Sequence, residues 1–232
     1  MRLQPLRSEA MVRQHPQVSP DGTSVIGTSP EQLDFDGLRI AFDTRVLRPR
    51  PWTAEQSRWA AELLSDLPPG PVLELCSGAG QIGLAAVRRT DRILVCVDAD
   101  PAAIEFGRIN ASNVGLAASV EFRLGRIDEV LRPEETFSLV IADPPWVTSA
   151  EVTRYPEDPR SAIDGGDDGL AVARPCLRVI EEHLGHGGAA LLQLGSVDQV
   201  AALLSLGNGS LRCMEVRQYD GGVVARLERA QN

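Results

Sequence analysis

From residue 71 onward, apolar runs of four to seven residues alternate with longer segments whose apolar positions recur at helical spacing. VLELC (72–76), RILVCVD (92–98), VEFRL (120–124), FSLVIAD (137–143) and GAALLQL (188–194) read as strands. Between them, 82–89, 101–113, 169–184 and 197–206 read as helices. The second opens with Pro101 in its first turn, and Pro175 predicts a kink in the third. LRCMEVRQ and VVARLER close the chain as an antiparallel pair. Such alternation predicts an α/β, Rossmann-like fold: a mostly parallel seven-stranded sheet covered by helices on both faces.

The upstream pattern differs. Residues 1–30 are polar, carry several Pro and Gly, and keep no sustained period, so they read as a loosely ordered arm with one short helix near 6–13. Two short runs around Asp36-Gly37 and Asp43-Thr44 suit a small β-hairpin, and Arg48-Pro-Arg-Pro-Trp52 is a stiff connector. Thr53 and Gln56 have capping-box spacing for a helix reaching Asp66, with Trp59, Ala60, Leu63 and Leu64 on one face. The division is therefore an arm (1–30), a hairpin with connector (31–52) and the α/β domain (53–232). Neither an internal repeat nor a low-complexity tract interrupts it.

Composition narrows the chemistry. All 23 basic residues are arginine. Without lysine there is neither a P-loop nor a Schiff base. The four cysteines are scattered without C-x-x-C spacing and read as free thiols in a reducing compartment. The sequence holds no apolar run near the ~20 residues of a membrane helix and no signal-peptide stretch, so a cytoplasmic protein away from the membrane is expected. His183 and His186 fall at the C-terminal turn of a predicted helix, where a cation suits the dipole; no metal site is expected. The net charge of −9 argues against a dedicated nucleic-acid partner, leaving Arg39–Arg58 as the one basic cluster.

Gly78-Ala-Gly80-Gln-Ile-Gly83 lies between a predicted strand and helix, with Asp98 ending the next strand. This order fits a nicotinamide dinucleotide and equally S-adenosylmethionine: glycines admit the ligand to the backbone, and the acid accepts from ribose hydroxyls. A bland alternative is a turn that only tightens helix–strand packing. Glu74 stands where a dinucleotide-binding strand would be apolar, placed for a cationic ligand. Asp143-Pro144-Pro145-Trp146 ends another strand. Two prolines remove N–H donors, so Asp143 and the adjacent carbonyls form an acceptor-only site with an indole face beside it. Such a site suits the NH2 group of a planar amide or aromatic amine.

VLELCSGAGQIGLA, VCVDADPAAIEFGRINA and IADPPW, in this order, resemble the class I S-adenosylmethionine-dependent methyltransferases with a (D/N)-P-P-(Y/F/W) motif. LRPRPWTAE (47–55) and AIDGGDDGL (162–170) are similar to segments of the HemK/PrmC protein-glutamine methyltransferases, and the likeness covers about residues 33–228. The resemblance implies S-adenosyl-L-methionine as cofactor, bound by Glu74, Cys76, Ser77, Gly78, Gly80, Asp98, Ala99 and Arg126. It implies Asp143, Pro144, Pro145 and Trp146 as the catalytic segment, with Arg50 and Thr53 bordering the acceptor pocket. Asp143 and Trp146 stand for the family's Asn and Tyr, and Arg126 stands where an acid often follows the third strand. The family's N-terminal helical domain, which helps hold a release factor, is not expected to find room in the thirty residues before the hairpin. The expected acceptor is thus a protein glutamine or a small molecule. The alternatives are a nucleic-acid exocyclic amine and, third, a nicotinamide-binding protein without methyl transfer.

Overall fold

The structure is a computed structural model and describes residues 30–230. The N-terminal arm and its short helix lie outside the described residues.

β1 (Glu31–Phe35) and β2 (Leu38–Phe42) pair antiparallel in a two-stranded hairpin. Asp36 and Gly37, at φ 50° and 80°, form its turn. Two consecutive left-handed residues give the primed turn that matches strand twist, which is why Asp-Gly serves here. A single 3-10 turn, Pro51–Thr53, then leads into α1 (Ala54–Leu64).

The remaining elements are β3 (Val72–Leu75), α2 (Gln81–Val87), β4 (Leu94–Asp98), α3 (Pro101–Asn113), β5 (Val120–Leu124), β6 (Phe137–Ala142), α4 (Arg160–Ile163), α5 (Ala173–His183), β7 (Leu184–Leu194), α6 (Val197–Ser205), β8 (Leu211–Tyr219) and β9 (Gly222–Arg229). The sheet order is β5-β4-β3-β6-β7-β9-β8. β9 is antiparallel to both neighbours and every other pair is parallel. The predicted seven-stranded, mostly parallel sheet and the preceding hairpin are thus both present.

Alternate residues of the buried strands face two separate cores. Val72, Leu94, Leu139, Ile141 and Leu191 pack with the hairpin, α1, α2 and α3. Leu73, Leu75, Val95, Val140 and Leu192 pack with α5 and α6. A sheet covered on both faces explains why these strands read as continuous apolar runs. Successive strands β3 and β4 lie to one side of β6, so chain order reverses between β3 and β6. Ligands of open α/β sheets bind outside the carboxyl ends of the strands at such a point.

Three local readings need correction. Thr53 is not an N-cap: its backbone is helical and its hydroxyl donates to the Arg50 carbonyl at 2.8 Å. Pro175 falls in the first turn of α5, where its missing N–H has no helical acceptor to lose, so it needs no kink. β7 begins at Leu184 instead of Gly188, because Leu184 pairs with Phe137 across an irregular register. His186 consequently lies in a strand, while His183 ends α5 and its Nδ1 lies 2.8 Å from the Glu135 carbonyl. No described helix is long and apolar enough to cross a membrane.

Candidate active site

The glycine turn joins β3 to α2 with three residues in left-handed backbone: Cys76, Gly78 and Gly80, at φ 57°, 52° and 78°. Gly80 is hemmed in by Leu84, Gly107 and Phe122. Gly78 is different: a Cβ there would meet nothing within 4 Å. Open space therefore lies directly over the Gly78 α-carbon, and its positive φ is what excludes other side chains. Beside it the Ser77 hydroxyl is buried without a hydrogen-bond partner. A buried orphan is unusual in folded proteins and suits a ligand atom that completes it.

Asp98 ends β4 against the same turn. Its Oδ2 accepts from the Gly78 N–H at 2.8 Å and its Oδ1 from the Asp100 N–H at 2.9 Å. Burial raises its pKa, opposed by these backbone donors. Each carboxylate oxygen keeps a second lone pair for another donor. Ala99, next to it, is exposed at the strand end.

Glu74 sits differently from its expected place beside a ligand. It is 2% exposed, accepts from the Gly83 N–H at 2.9 Å through Oε1, and takes the Cys96 thiol at 3.3 Å through Oε2. It braces α2 from beneath. Burial, with smaller contributions from the charges of Asp143 and Asp98, pushes its carboxyl up to about 7. Cys76 is half-buried, its thiol beside that of Cys176 and pushed up by that contact and by burial.

Asp143 follows β6 and is partly buried. Its Oδ1 accepts from Gln193 Nε2 of β7 at 2.5 Å. Burial pushes its carboxyl up to about 7 against the lowering effect of that bond. Gln56, on α1, donates through Nε2 to the carbonyls of Ala142 at 3.2 Å and Leu191 at 3.1 Å. It pins the ends of β6 and β7 together. Gln56, read in the sequence as half of a capping box, serves these carbonyls instead, and Gln193 is the polar residue that pattern reading missed. The available signal was a lone glutamine within the apolar run LLQL, at the strand end beside Asp143.

The segment after Asp143-Pro144-Pro145 is held by the glycine-rich loop at 162–170. Val147 bridges Asp164 in parallel, with the Gly165 N–H donating to the Val147 carbonyl at 2.7 Å and the Ser149 N–H to the Gly166 carbonyl at 2.9 Å. A Cβ on Gly165 would lie 2.7 Å from the Gly169 backbone, and one on Gly169 2.3 Å from the Trp146 carbonyl oxygen. The Trp146 ring in turn covers Gly195, where a Cβ would meet the ring at 2.5 Å. One face of the indole is thus packed onto the end of β7. Asp164 and Asp168 cap this loop: Asp164 accepts from Ser149 and Gly166, and Asp168 accepts from the Leu170 N–H and pairs with Arg174.

Thr53 is buried with its hydroxyl on the Arg50 carbonyl. Arg50 pairs with Asp158, whose side chain is only 4% exposed, tying the connector to the loop downstream of Trp146. Arg126 is 64% exposed and engaged by Asp128 and Glu129. The structure therefore gathers Ser77, Gly78, Asp98 and Asp143-Pro144-Pro145-Trp146 at the carboxyl ends of β3, β4 and β6, and leaves Arg126 at the surface.

Residues 57–156, which span this arrangement, match the family model described as the methyltransferase small domain. That match takes in less than half of the chain. Over 170 residues the chain is 34% identical to a Deinococcus radiodurans protein named release factor glutamine methyltransferase, an alignment covering 70% of this chain and 59% of that one. It is 31% identical over 172 residues to a Bradyrhizobium diazoefficiens protein named ribosomal protein uL3 glutamine methyltransferase, covering 68% and 54%. The chain thus spans less than two thirds of the length of these curated relatives. The ribosomal protein L11 methylase of Lactobacillus delbrueckii subsp. bulgaricus shares the fold at a TM-score of 0.61 and 11% identity, over 80% of this chain and 82% of that one. The Rossmann-like fold is shared with that structure, and the expected resemblance to protein-glutamine methyltransferases agrees with the names of these relatives.

Proposed function

We propose that this protein transfers a methyl group from S-adenosyl-L-methionine to the side-chain amide nitrogen of a protein glutamine. The observation that carries the reading is the position of Asp143. It is an acceptor at the β6 end, flanked by two prolines that offer carbonyls and no N–H, across the sheet's reversal point from an open glycine turn. The relatives named as glutamine methyltransferases supply the acceptor class.

Ser77, Gly78 and Asp98 would hold the cofactor: the orphaned hydroxyl would gain a partner, the glycine leaves room, and the carboxylate would accept from the ribose. When bound, S-adenosylmethionine supplies an electrophilic methyl on a sulfonium sulfur. Glu74 acts at one remove, by fixing the first turn of α2. Asp143 and a carbonyl of the Pro144-Pro145 pair accept from the acceptor NH2, which turns the nitrogen lone pair toward the methyl. With the cofactor bound, the nitrogen would take the methyl, leaving S-adenosylhomocysteine as the neutral thioether, and the proton lost from nitrogen would pass to solvent. An amide nitrogen is a weak nucleophile, so the acceleration comes from alignment and from acceptors placed where positive charge develops on nitrogen.

The test is transfer of labelled methyl from S-adenosylmethionine to recombinant release factor, ribosomal protein uL3, total RNA and a metabolite fraction, with the full chain as enzyme. Label on a glutamine of either protein supports the reading. Label confined to RNA or metabolites overturns the acceptor class, and no calorimetric binding of S-adenosylmethionine overturns the whole proposal.

A further inference from the structure

We infer that Gln193 is a positioning residue for Asp143, holding Oδ1 so that Oδ2 is the oxygen presented to the acceptor nitrogen. The inference rests on the methyltransferase reading above.

Gln193 is 1% exposed on a strand whose neighbours Leu192 and Leu194 are fully buried. Burying an amide there costs free energy unless it is hydrogen-bonded, and its Nε2–H donates to Asp143 Oδ1 at 2.5 Å. No described donor reaches Oδ2. The two strand ends cannot drift apart, because Gln56 bonds the carbonyls of Ala142, directly before Asp143, and Leu191, two residues before Gln193. Asp143 thus has one oxygen committed within the protein and one left for substrate. The Gln193 Oε1 atom, also buried and without a partner among the described residues, marks this corner as still short of donors. An incoming NH2 group is a donor.

A second consequence concerns charge. The Gln193 donor favours the ionised form of Asp143, while burial disfavours it. Other titratable groups around this corner are Glu74 and Cys76 on the β3 side, and Asp98 beyond them. Among the described residues Asp143 has no basic side chain within ion-pair distance. A neutral amide donor therefore does here what a cation does in an ordinary ion pair.

The experiment is a carboxyl-13C NMR titration of the full chain labelled at aspartate, with Asp143→Asn to assign the signal. Gln193→Leu removes the donor; Gln193→Met removes it with an unbranched, uncharged side chain of similar size, in case the leucine variant does not fold. Loss of one hydrogen bond to a charged group is expected to raise the Asp143 midpoint by about one pH unit or more. Methyl transfer to recombinant release factor at pH 7 is expected to fall at least about tenfold and to recover partly at pH 9. Calorimetric affinity for S-adenosylmethionine should stay within about twofold, since Gln193 lies on the acceptor side. An unmoved Asp143 midpoint, or a loss of turnover equal at both pH values, overturns the inference. Absence of S-adenosylmethionine binding by the unaltered protein instead overturns the reading on which it rests.

Discussion

The backbone N–H of Gly83 donates to Glu74 Oε1 at 2.9 Å, and a Cβ on Gly83 would stand 2.4 Å from the other oxygen of the same carboxyl. The acid and the glycine are thus one joint, through which β3 carries the first turn of α2.

That joint gives the protein a pH-dependent element. The Glu74 carboxyl is raised to about 7 from its ordinary 4.5, mainly by burial, so the folded state holds its proton more tightly than the unfolded chain. The resulting stabilisation is fully present below about pH 4.5 and is lost as pH rises through about 7. A shift of this size corresponds to about 3 kcal/mol. Glu74→Gln keeps an acceptor for Gly83 and cannot ionise. Its urea-unfolding free energy should exceed that of the unaltered protein by more at pH 8 than at pH 5. A difference independent of pH would show that Glu74 is charged in the folded state throughout.

Asn110, fully buried on α3, exchanges two hydrogen bonds with the backbone of Ala41 and gives a third to the Ala79 carbonyl. It ties the hairpin to the glycine turn. Asn110→Leu keeps the volume but orphans three buried backbone groups, so a loss of about 2–4 kcal/mol is expected. Chemical denaturation measures it. Since Ala79 lies between Gly78 and Gly80, S-adenosylmethionine affinity should fall as well, even at temperatures where the variant remains folded.

How much of this was readable depended on whether a residue's role is local or set by its cover. The β3, β4 and β6 strands were legible because burial on both faces makes them apolar throughout, and Asp36-Gly37 because its turn geometry is local. Glu74 was legible as an anomaly, but strand periodicity assigns a face and not the helix above it, so a bracing acid read as a ligand contact. Thr53 and Gln56 have the spacing of a capping box, yet the β6 and β7 carbonyls offered Gln56 two long-range partners. Gln193 failed for the same reason: its partner is fifty residues away in sequence. For Arg50 the connector motif suggested a place beside the pocket, and its partner Asp158 could not be read because it comes from a loop with no periodicity.

Asp98 should govern cofactor affinity. Its two oxygens already organise the turn by accepting from Gly78 and Asp100, and the remaining lone pairs face the ribose in the proposed complex. Asp98→Ala removes charge-assisted bonds of about 1.5–3 kcal/mol, which corresponds to a ten- to hundredfold weaker complex with S-adenosylmethionine. Isothermal titration calorimetry reads this directly. A folded variant with unchanged affinity would remove Asp98 from the site.

Asp143 separates positioning from base catalysis. Replacing it with alanine deletes the acceptor, so transfer to release factor should fall by at least about a hundredfold while cofactor affinity changes little, the contact being on the acceptor side. Asp143→Asn keeps an acceptor oxygen at the same place and should retain substantial turnover. The two also differ in pH response. The Asp143 carboxyl is pushed up to about 7, so in the unaltered protein the stronger, ionised acceptor accumulates as pH rises through that value. Turnover should therefore climb along an acidic limb centred near pH 7, and the limb should vanish in Asp143→Asn, which has no proton to lose there. If the asparagine variant is as inactive as the alanine one, the carboxylate takes the nitrogen's proton or balances its charge, and alignment alone does not account for the reaction.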